Sequence, residues 1–235
     1  MNTINDLKKN LSVLILCGGK GLRLRPLTRH LPKPLIKVRN KSILEHIISH
    51  FLKFNIDNFI IASGYKHKLI NTFIKKKFKD LKIKVLNTGI NSDIIKRIDK
   101  SKKHSRKYLL VCYGDTIIDI NLNKYLNFYL SKPKKITVAS YQLESSFGIF
   151  SIKKKNLITN FKEKPLMNIW FNVGYLLFSP ENLKHLKKFR KFEDLITFLS
   201  KKNLMKTFKH NGNHITINTL TELEKARKIS GKFFK

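Results

Sequence analysis

Three short apolar runs organise the N-terminal half of this chain. Ser12 to Leu16 reads SVLIL, Asn58 to Ala62 reads NFIIA, and Tyr108 to Cys112 reads YLLVC. Unbroken apolar runs of this length read as strands buried on both faces, the mark of a parallel sheet covered by helices. The intervening sequence supplies those helices. Ile43 to Phe54 places Ile43, Ile47, Ile48 and Phe51 on one face at helical spacing, and His67 to Phe78 reads as a second helix before a strand at Ile83 to Leu86. Parallel neighbours require long crossovers, so strand–helix alternation predicts an α/β, three-layer sandwich with a mostly parallel central sheet.

Beyond Asn121 the pattern changes. A helix at Leu122 to Leu130 precedes strand candidates at Ile136 to Tyr141, Gly148 to Ile152, Ile158 to Phe161 and Gly174 to Phe178, which read as antiparallel additions to the sheet. Helices follow at Pro180 to Leu186 and Phe192 to Leu199, then a short strand at His214 to Ile217. A closing helix capped by Thr219 or Thr221 runs to about Gly231. No repeat or linker interrupts the chain. The expectation is one domain over residues 1–235, in two halves of about 11–120 and 121–230.

Charge is the unusual feature of the composition. Lys and Arg number 49 against 15 Asp and Glu, for a formal net charge of +34, while hydrophobic residues make up 42%. That apolar content excludes a disordered basic tail. The lysines are spread along the chain at predicted turns and helix ends, where charge is usually solvated. With no recognition helix or RNA-binding sheet motif, nucleic acid is not the expected partner. No run approaches the roughly 18–20 apolar residues of a membrane span, and no membrane partner is expected. The N-terminal stretch runs into Gly18 and Gly19 without a cleavage site, so no signal peptide is expected. Cys17 and Cys112 offer neither a disulfide framework nor a metal-ligand spacing, and together these features lead us to expect a cytoplasmic protein. His46, His50, His67 and His210 also lack partners at ligand spacing.

The segment after the first strand carries the chemistry: Gly18-Gly19-Lys20-Gly21-Leu22-Arg23-Leu24-Arg25-Pro26-Leu27-Thr28, continuing to Pro32-Lys33-Pro34. It leaves the carboxyl end of a strand, where open α/β sheets bind ligands. Three glycines let backbone N–H groups approach a polyphosphate, and Arg23 and Lys33 add cations. Neither the Walker A spacing nor the dinucleotide fingerprint is present. Taken alone, the trio reads equally well as a tight turn, and any one of 49 cations as a surface charge.

The whole string, GGKGLRLRPLT followed by PKPL, resembles the signature of the sugar-1-phosphate nucleotidylyltransferases, usually GGxGTRLxPLT…PKP. The likeness continues in order along the chain. Asn40 to Leu44 looks like the family's gKPiLxHi segment, Tyr113-Gly114-Asp115 like its metal-binding Gly-Asp, and Phe147-Gly148 like its Phe/Tyr-Gly sugar contact. Phe161 to Pro165 looks like F-x-E-K-P, Asn172-Val173-Gly174 like N-x-G, and the stretch around Thr219 like the closing segment. Within the family the chain is most similar to the glucose-1-phosphate cytidylyltransferase branch. Asn87-Thr88-Gly89-Ile90-Asn91-Ser92 with Lys96-Arg97-Ile98 looks like its dTGxxTxTGGRxxR, and Tyr113 to Thr116 like its Y-G-D-G.

The resemblance implies the Rossmann-like nucleotide-diphospho-sugar transferase fold. It also implies attack of a sugar 1-phosphate on the α-phosphorus of an NTP with release of pyrophosphate, CTP being slightly favoured. On it, Gly18, Gly19, Gly21, Arg23, Thr88, Gly89 and Gly114 bind the nucleotide, and Arg23, Lys33 and Asp115 are catalytic. Gly148, Glu163, Lys164, Asn172 and Gly174 bind the sugar phosphate, and Asp115 with Asn218 holds Mg²⁺. Any oligomer is expected to be a homo-oligomer.

Three departures qualify this picture. Leu22 replaces the usual Thr. Ile95 and Lys96 stand where the cytidylyltransferase branch has two glycines, setting a branched side chain where backbone meets ligand. Asn218 replaces a second metal-binding Asp and brings no charge. The alternative reading is a catalytically weak, sugar-nucleotide-binding regulatory paralogue. Glu163 and Lys164 also read as an ordinary turn ion pair, and Trp170 and Phe171 as core or as a pocket edge.

Overall fold

The structure, a computed structural model, describes residues 3–228. Helix α1 (Ile4–Lys9), closed by a reciprocal Thr3–Asp6 cap, leads into β1 (Leu11–Cys17). A hairpin of β2 (Lys37–Val38) and β3 (Lys41–Ser42) delivers Ser42 as the N-cap of α2 (Ile43–Leu52), with Glu45 completing a capping box. Then follow β4 (Phe59–Ser63), α3 (His67–Lys77), β5 (Ile83–Asn87), α4 (Ile94–Lys102) and β6 (Tyr108–Tyr113). Strand β7 (Thr116–Ile118) and α5 (Leu122–Ser131) lead into β8 (Ile136–Glu144), β9 (Ile149–Ile152), β10 (Ile158–Lys162) and the 13-residue β11 (Leu166–Phe178). The chain continues through α6 (Pro180–Leu183), α7 (Phe192–Lys201), β12 (Met205–His210), β13 (His214–Thr216) and α8 (Leu220–Lys228).

Seven strands form the central sheet in the order β12-β8-β11-β6-β1-β4-β5. β1 pairs in parallel with β4 and β6, β4 with β5, and β12 with β8, while β11 runs antiparallel between β6 and β8. The expected mostly parallel sheet is therefore present, with its antiparallel element in the C-terminal half. Alternation on the strands feeds two cores. Val13, Ile15, Leu110 and Cys112 pack on one face with α1, α2, α3, α5 and α8; Leu14, Leu109 and Val111 pack on the other with α4 and α7. Those are the three layers.

Four differences from the expectation matter. Strands β9 and β10 pair only with each other and do not join the central sheet. Helix α4 and edge strand β12 were not foreseen, and Pro180 to Leu186 is one α-helical turn followed by a 3₁₀ turn. Of the two threonines expected to cap α8, Thr219 does so, its Oγ1 accepting from the Glu222 N–H at 3.2 Å. The expected end of that helix, near Gly231, lies outside the described residues.

Two histidines make the fold sensitive to acid. His50 on α2 donates from Nε2 to the Ile120 carbonyl at 2.9 Å, and burial lowers its pKa from 6.5 to about 4. His214 stacks on Tyr141, and burial, aided by nearby His210, lowers it likewise to about 4. Both are neutral when folded, whereas the unfolded chain takes up their protons near pH 6.5. Stability should therefore be level above about pH 7.5 and fall as pH drops through 6.5 toward 4. At ~1.4 kcal/mol per pH unit for each group, the loss by pH 5 is ~2 kcal/mol per histidine. Urea unfolding midpoints at pH 8, 6.5 and 5 check this, and a midpoint level down to pH 5 would contradict it.

Candidate active site

The chain runs from β1 outward to β4 and β5, then returns across the sheet to β6 on the other side of β1. At such a reversal the loops leaving adjacent parallel strands part, and a crevice opens at the carboxyl ends. A cavity of about 670 Å³ occupies that position. Gly18, Gly19, Gly21, Arg23, Lys33, Gly114, Asp115 and Asn218 all line it.

Local chemistry fixes this arrangement. The Thr28 hydroxyl donates to the Gly21 carbonyl at 3.0 Å, and the Tyr65 hydroxyl to the Thr28 carbonyl at 2.8 Å, pinning the glycine-rich turn. Pro32 is extended (φ −68°, ψ 145°) and Pro34 sits in the 3₁₀ turn that follows, so Lys33 projects between two residues of restricted φ. The Gly114 N–H donates to the Leu16 carbonyl at 3.1 Å, which brings Asp115 alongside the end of β1. β13 pairs with β7, and the Ile217 N–H donates to the Asp115 carbonyl at 3.0 Å, which delivers Asn218.

The result is a three-way junction from segments remote in sequence. Lys33 Nζ lies 2.6 Å from Asp115 Oδ2 and 2.8 Å from Asn218 Oδ1. The lysine side chain is 13% exposed and the aspartate 28%, so the pair is partly shielded yet open to the cavity. Two oxygens already converge on one positive centre. Cys17 lines the same wall, but burial pushes its thiol well above the ordinary range, so it offers no thiolate.

A third cation, Arg97 on α4, also lines the cavity and was missing from the expected set. It is 5% exposed and, among the described residues, has no carboxylate partner within ion-pair distance. Its Nη1 donates to Thr88 Oγ1 at 2.6 Å and to the Ser63 carbonyl at 3.2 Å, and Nη2 donates to the Ile90 carbonyl at 3.3 Å. Gly18 faces it so closely that a Cβ there would collide with the guanidinium. Burial holds its pKa below the usual arginine value.

Thr88 and Gly89 do not line the cavity. Thr88 is buried behind Arg97, and its hydroxyl donates to the Ser63 carbonyl at 2.7 Å, so it bears on the cavity indirectly, through Arg97 and through Ser92, whose hydroxyl donates to the Thr88 carbonyl. The glycine-loop expectation at Ile95 and Lys96 is corrected. Asp93 caps α4 by accepting from the Lys96 N–H at 2.8 Å, and Ile95 turns into the core beneath the sheet. No branched side chain from Ile95 intrudes. Gly64 was also missed. A Cβ there would lie 2.5 Å from the Gly89 carbonyl oxygen and 2.9 Å from that of Gly18, so only glycine lets the loops after β1, β4 and β5 meet.

The expected sugar-phosphate group divides in two. Asn172 and Gly174 on β11 support Tyr113, a cavity residue: the Asn172 amide reaches the Tyr113 hydroxyl at 3.5 Å, and the tyrosine ring lies against Gly174. Gly148, Glu163 and Lys164 lie elsewhere, at the β9–β10 hairpin, with the two charged side chains about 60% exposed and 4.0 Å apart. Trp170 stands under Lys209, whose Nζ is 4.7 Å from the ring centroid, outside this cavity.

Known proteins share this architecture. A family model described as nucleotidyl transferase matches residues 12–216. A Bacillus subtilis (strain 168) protein assigned as a glucose-1-phosphate cytidylyltransferase is 28% identical, with 93% of this chain and 96% of that protein covered. The D-glycero-alpha-D-manno-heptose 1-phosphate guanylyltransferase of Campylobacter jejuni is 31% identical over 66% of this chain and 69% of its own length. A solved structure from Bacillus anthracis, assigned as a glucose-1-phosphate thymidylyltransferase in complex with sucrose, superposes with a TM-score of 0.75. It covers 95% of this chain and 98% of that one at 18% identity, a likeness of fold.

Proposed function

The chain belongs to the nucleotidyl transferase family, and from that premise we propose that it joins a nucleoside triphosphate to a sugar 1-phosphate. A phosphate oxygen of the sugar 1-phosphate attacks the α-phosphorus and forms a new P–O bond. The bond from the α-phosphorus to the bridging oxygen breaks, and pyrophosphate leaves with that electron pair. The observation that carries this reading is the meeting of Lys33, Asp115 and Asn218 beside the glycine-rich turn at the sheet's reversal point.

Both reactants are anions, so the chain's task is to neutralise charge and hold an in-line geometry. Backbone N–H groups of Gly18, Gly19 and Gly21 receive the nucleotide phosphates, and Arg23 receives the departing pyrophosphate. Lys33 stands where both reacting phosphates must come together. Its ammonium draws the anions in and stabilises charge that grows on the α-phosphoryl oxygens. Asp115 and Asn218 would hold a magnesium ion, a carboxylate and an amide oxygen that converge where the Lys33 ammonium now lies, with Lys33 then turning toward the phosphates. When bound, the ion supplies further neutralisation of the phosphate oxygens. We take CTP as the preferred donor and glucose 1-phosphate as the first acceptor to try, on the likeness to the B. subtilis relative. Cys17 and Cys112, both free and buried, suit the reducing cytoplasm in which we place the protein.

A second reading, a binding paralogue with little catalysis, draws on the neutral Asn218 and on the distance of Glu163 and Lys164 from the cavity wall. Purified protein with Mg²⁺, offered each NTP against a panel of sugar 1-phosphates, decides between them. Pyrophosphate release is expected for one pairing, most rapidly with CTP. Nucleotide binding without release for any pairing would establish the paralogue.

A further inference from the structure

Beyond the sheet, β8 and β11 continue outward as a two-stranded ribbon, and β9 and β10 extend it as an arm. The register pairs Ile152 with Ile158 and Phe150 with Phe161, and an irregularity between Ile158 and Asn160 absorbs one residue. All four apolar side chains therefore fall on the same face, and the two phenyl rings confirm it with centroids 5.2 Å apart. Nothing among the described residues covers that face. With Phe147 and Leu157 beside it, six large apolar side chains are 53–76% exposed. β9 and β10 pair with no other strand, so each also presents an open edge. A lone two-stranded ribbon with a bare apolar face is marginal in water.

We propose that a second copy of this chain covers the arm, face to face about a two-fold axis. Area favours this occupant. At ~150–200 Å² for each large side chain, the exposed fractions give roughly 650 Å² per copy, and two copies reach about 1,300 Å², within the range of stable interfaces. The placement of charge argues the same way. Lys153, Lys154 and Lys155 sit at the turn between β9 and β10, beyond the paired apolar residues, where they fall on the rim of an arm-to-arm contact. A hairpin built to enter a lipid bilayer needs an apolar tip, and this tip is its most charged part. A self-complementary patch also pairs by symmetry without requiring a different partner.

Sedimentation velocity of the full chain at about 0.15 M salt tests the proposal without reference to catalysis, so its outcome is independent of the transferase reading. A dimer is expected. The variant carrying both Phe150→Ser and Ile158→Ser should raise its dissociation constant about 100-fold. Ile152→Glu, on the same face, should do the same, with an unchanged urea midpoint, measured at a concentration below the wild-type dissociation constant, showing that the sheet remains intact. A wild-type monomer at ~50 µM, or a dimer that both variants leave unchanged, overturns the proposal. A monomer that pellets with phosphatidylglycerol vesicles but not with phosphatidylcholine vesicles overturns it in favour of an anionic membrane.

Discussion

Replacing Lys33 with Met should lower the rate of pyrophosphate release by ~10³-fold or more while the protein stays folded. The side chain is nearly enclosed, and its ammonium touches both Asp115 and Asn218. Methionine keeps the length and loses the charge. The two oxygens then lack their common cation, and the phosphates of the reactants repel one another across the cavity. Lys33→Arg should not restore the rate, because a planar guanidinium cannot occupy the place of a compact ammonium between two oxygens. Asp115→Asn should by itself be costly, and the double variant should lose much less than the product of the two single losses, since the residues act as one unit. Steady-state release of pyrophosphate, with the exposed Lys20→Met as control, measures each of these. A loss at Lys33 no greater than at Lys20 would return Lys33 to the background of surface cations.

That background explains why the net charge was a poor guide and the placed groups a better one. Most of the 49 cations lie along the surface, whereas the cavity wall holds Arg23, Lys33 and Arg97. Lys164, expected among the phosphate ligands, stands exposed on the arm instead. The strands at Leu11–Cys17, Phe59–Ser63 and Tyr108–Tyr113 were legible because each is buried on both faces and so reads as an unbroken apolar run. Asp115 was legible because an acid at the end of such a strand is rare in a chain this basic. Helix α4 was not, since IIKRIDKSK carries little apolar sequence and its start depends on Asp93 capping the Lys96 N–H. Strand β12 was hidden for a related reason: MKTFKH sits at the sheet edge, and with Lys206 and Lys209 on opposite faces it shows neither an unbroken apolar run nor a clean alternation. Gly64 has no motif around it. Its necessity comes from the approach of the Gly18 and Gly89 carbonyls, which are 46 and 25 residues away in the chain and adjacent only after folding. Isolated apolar positions in 143–169 look like core in sequence, and only the topology reveals that they belong to an arm outside it.

Arg97 provides the sharper test of how the cavity recognises a nucleotide, because stability and binding should respond in different directions. A buried guanidinium with no carboxylate partner is costly to the fold unless an anion or a carbonyl-rich ligand arrives to meet it. Arg97→Met removes that cost and leaves little behind unsatisfied. The Ser63 carbonyl still accepts from the Thr88 N–H at 2.9 Å and from the Thr88 hydroxyl at 2.7 Å, while Ile90 is half exposed and its carbonyl can turn to water. Methionine fits beside Cys17, Ile90 and Ile94, which line the same cavity wall. The urea midpoint should therefore hold or rise. The KM for the nucleoside triphosphate should rise ~10²-fold, with a smaller change in kcat, as expected when charge-assisted donors to a bound ligand are lost from a desolvated wall. Gly18 supplies an independent readout. In the wild type, Gly18→Ala drives its Cβ into the guanidinium and should be strongly damaging; in the Arg97→Met background the obstruction is gone, and the same substitution should cost little more. A large drop in stability for Arg97→Met with nucleotide KM unchanged would make Arg97 a brace between α4 and the β4 and β5 loops, and would remove it from the nucleotide site.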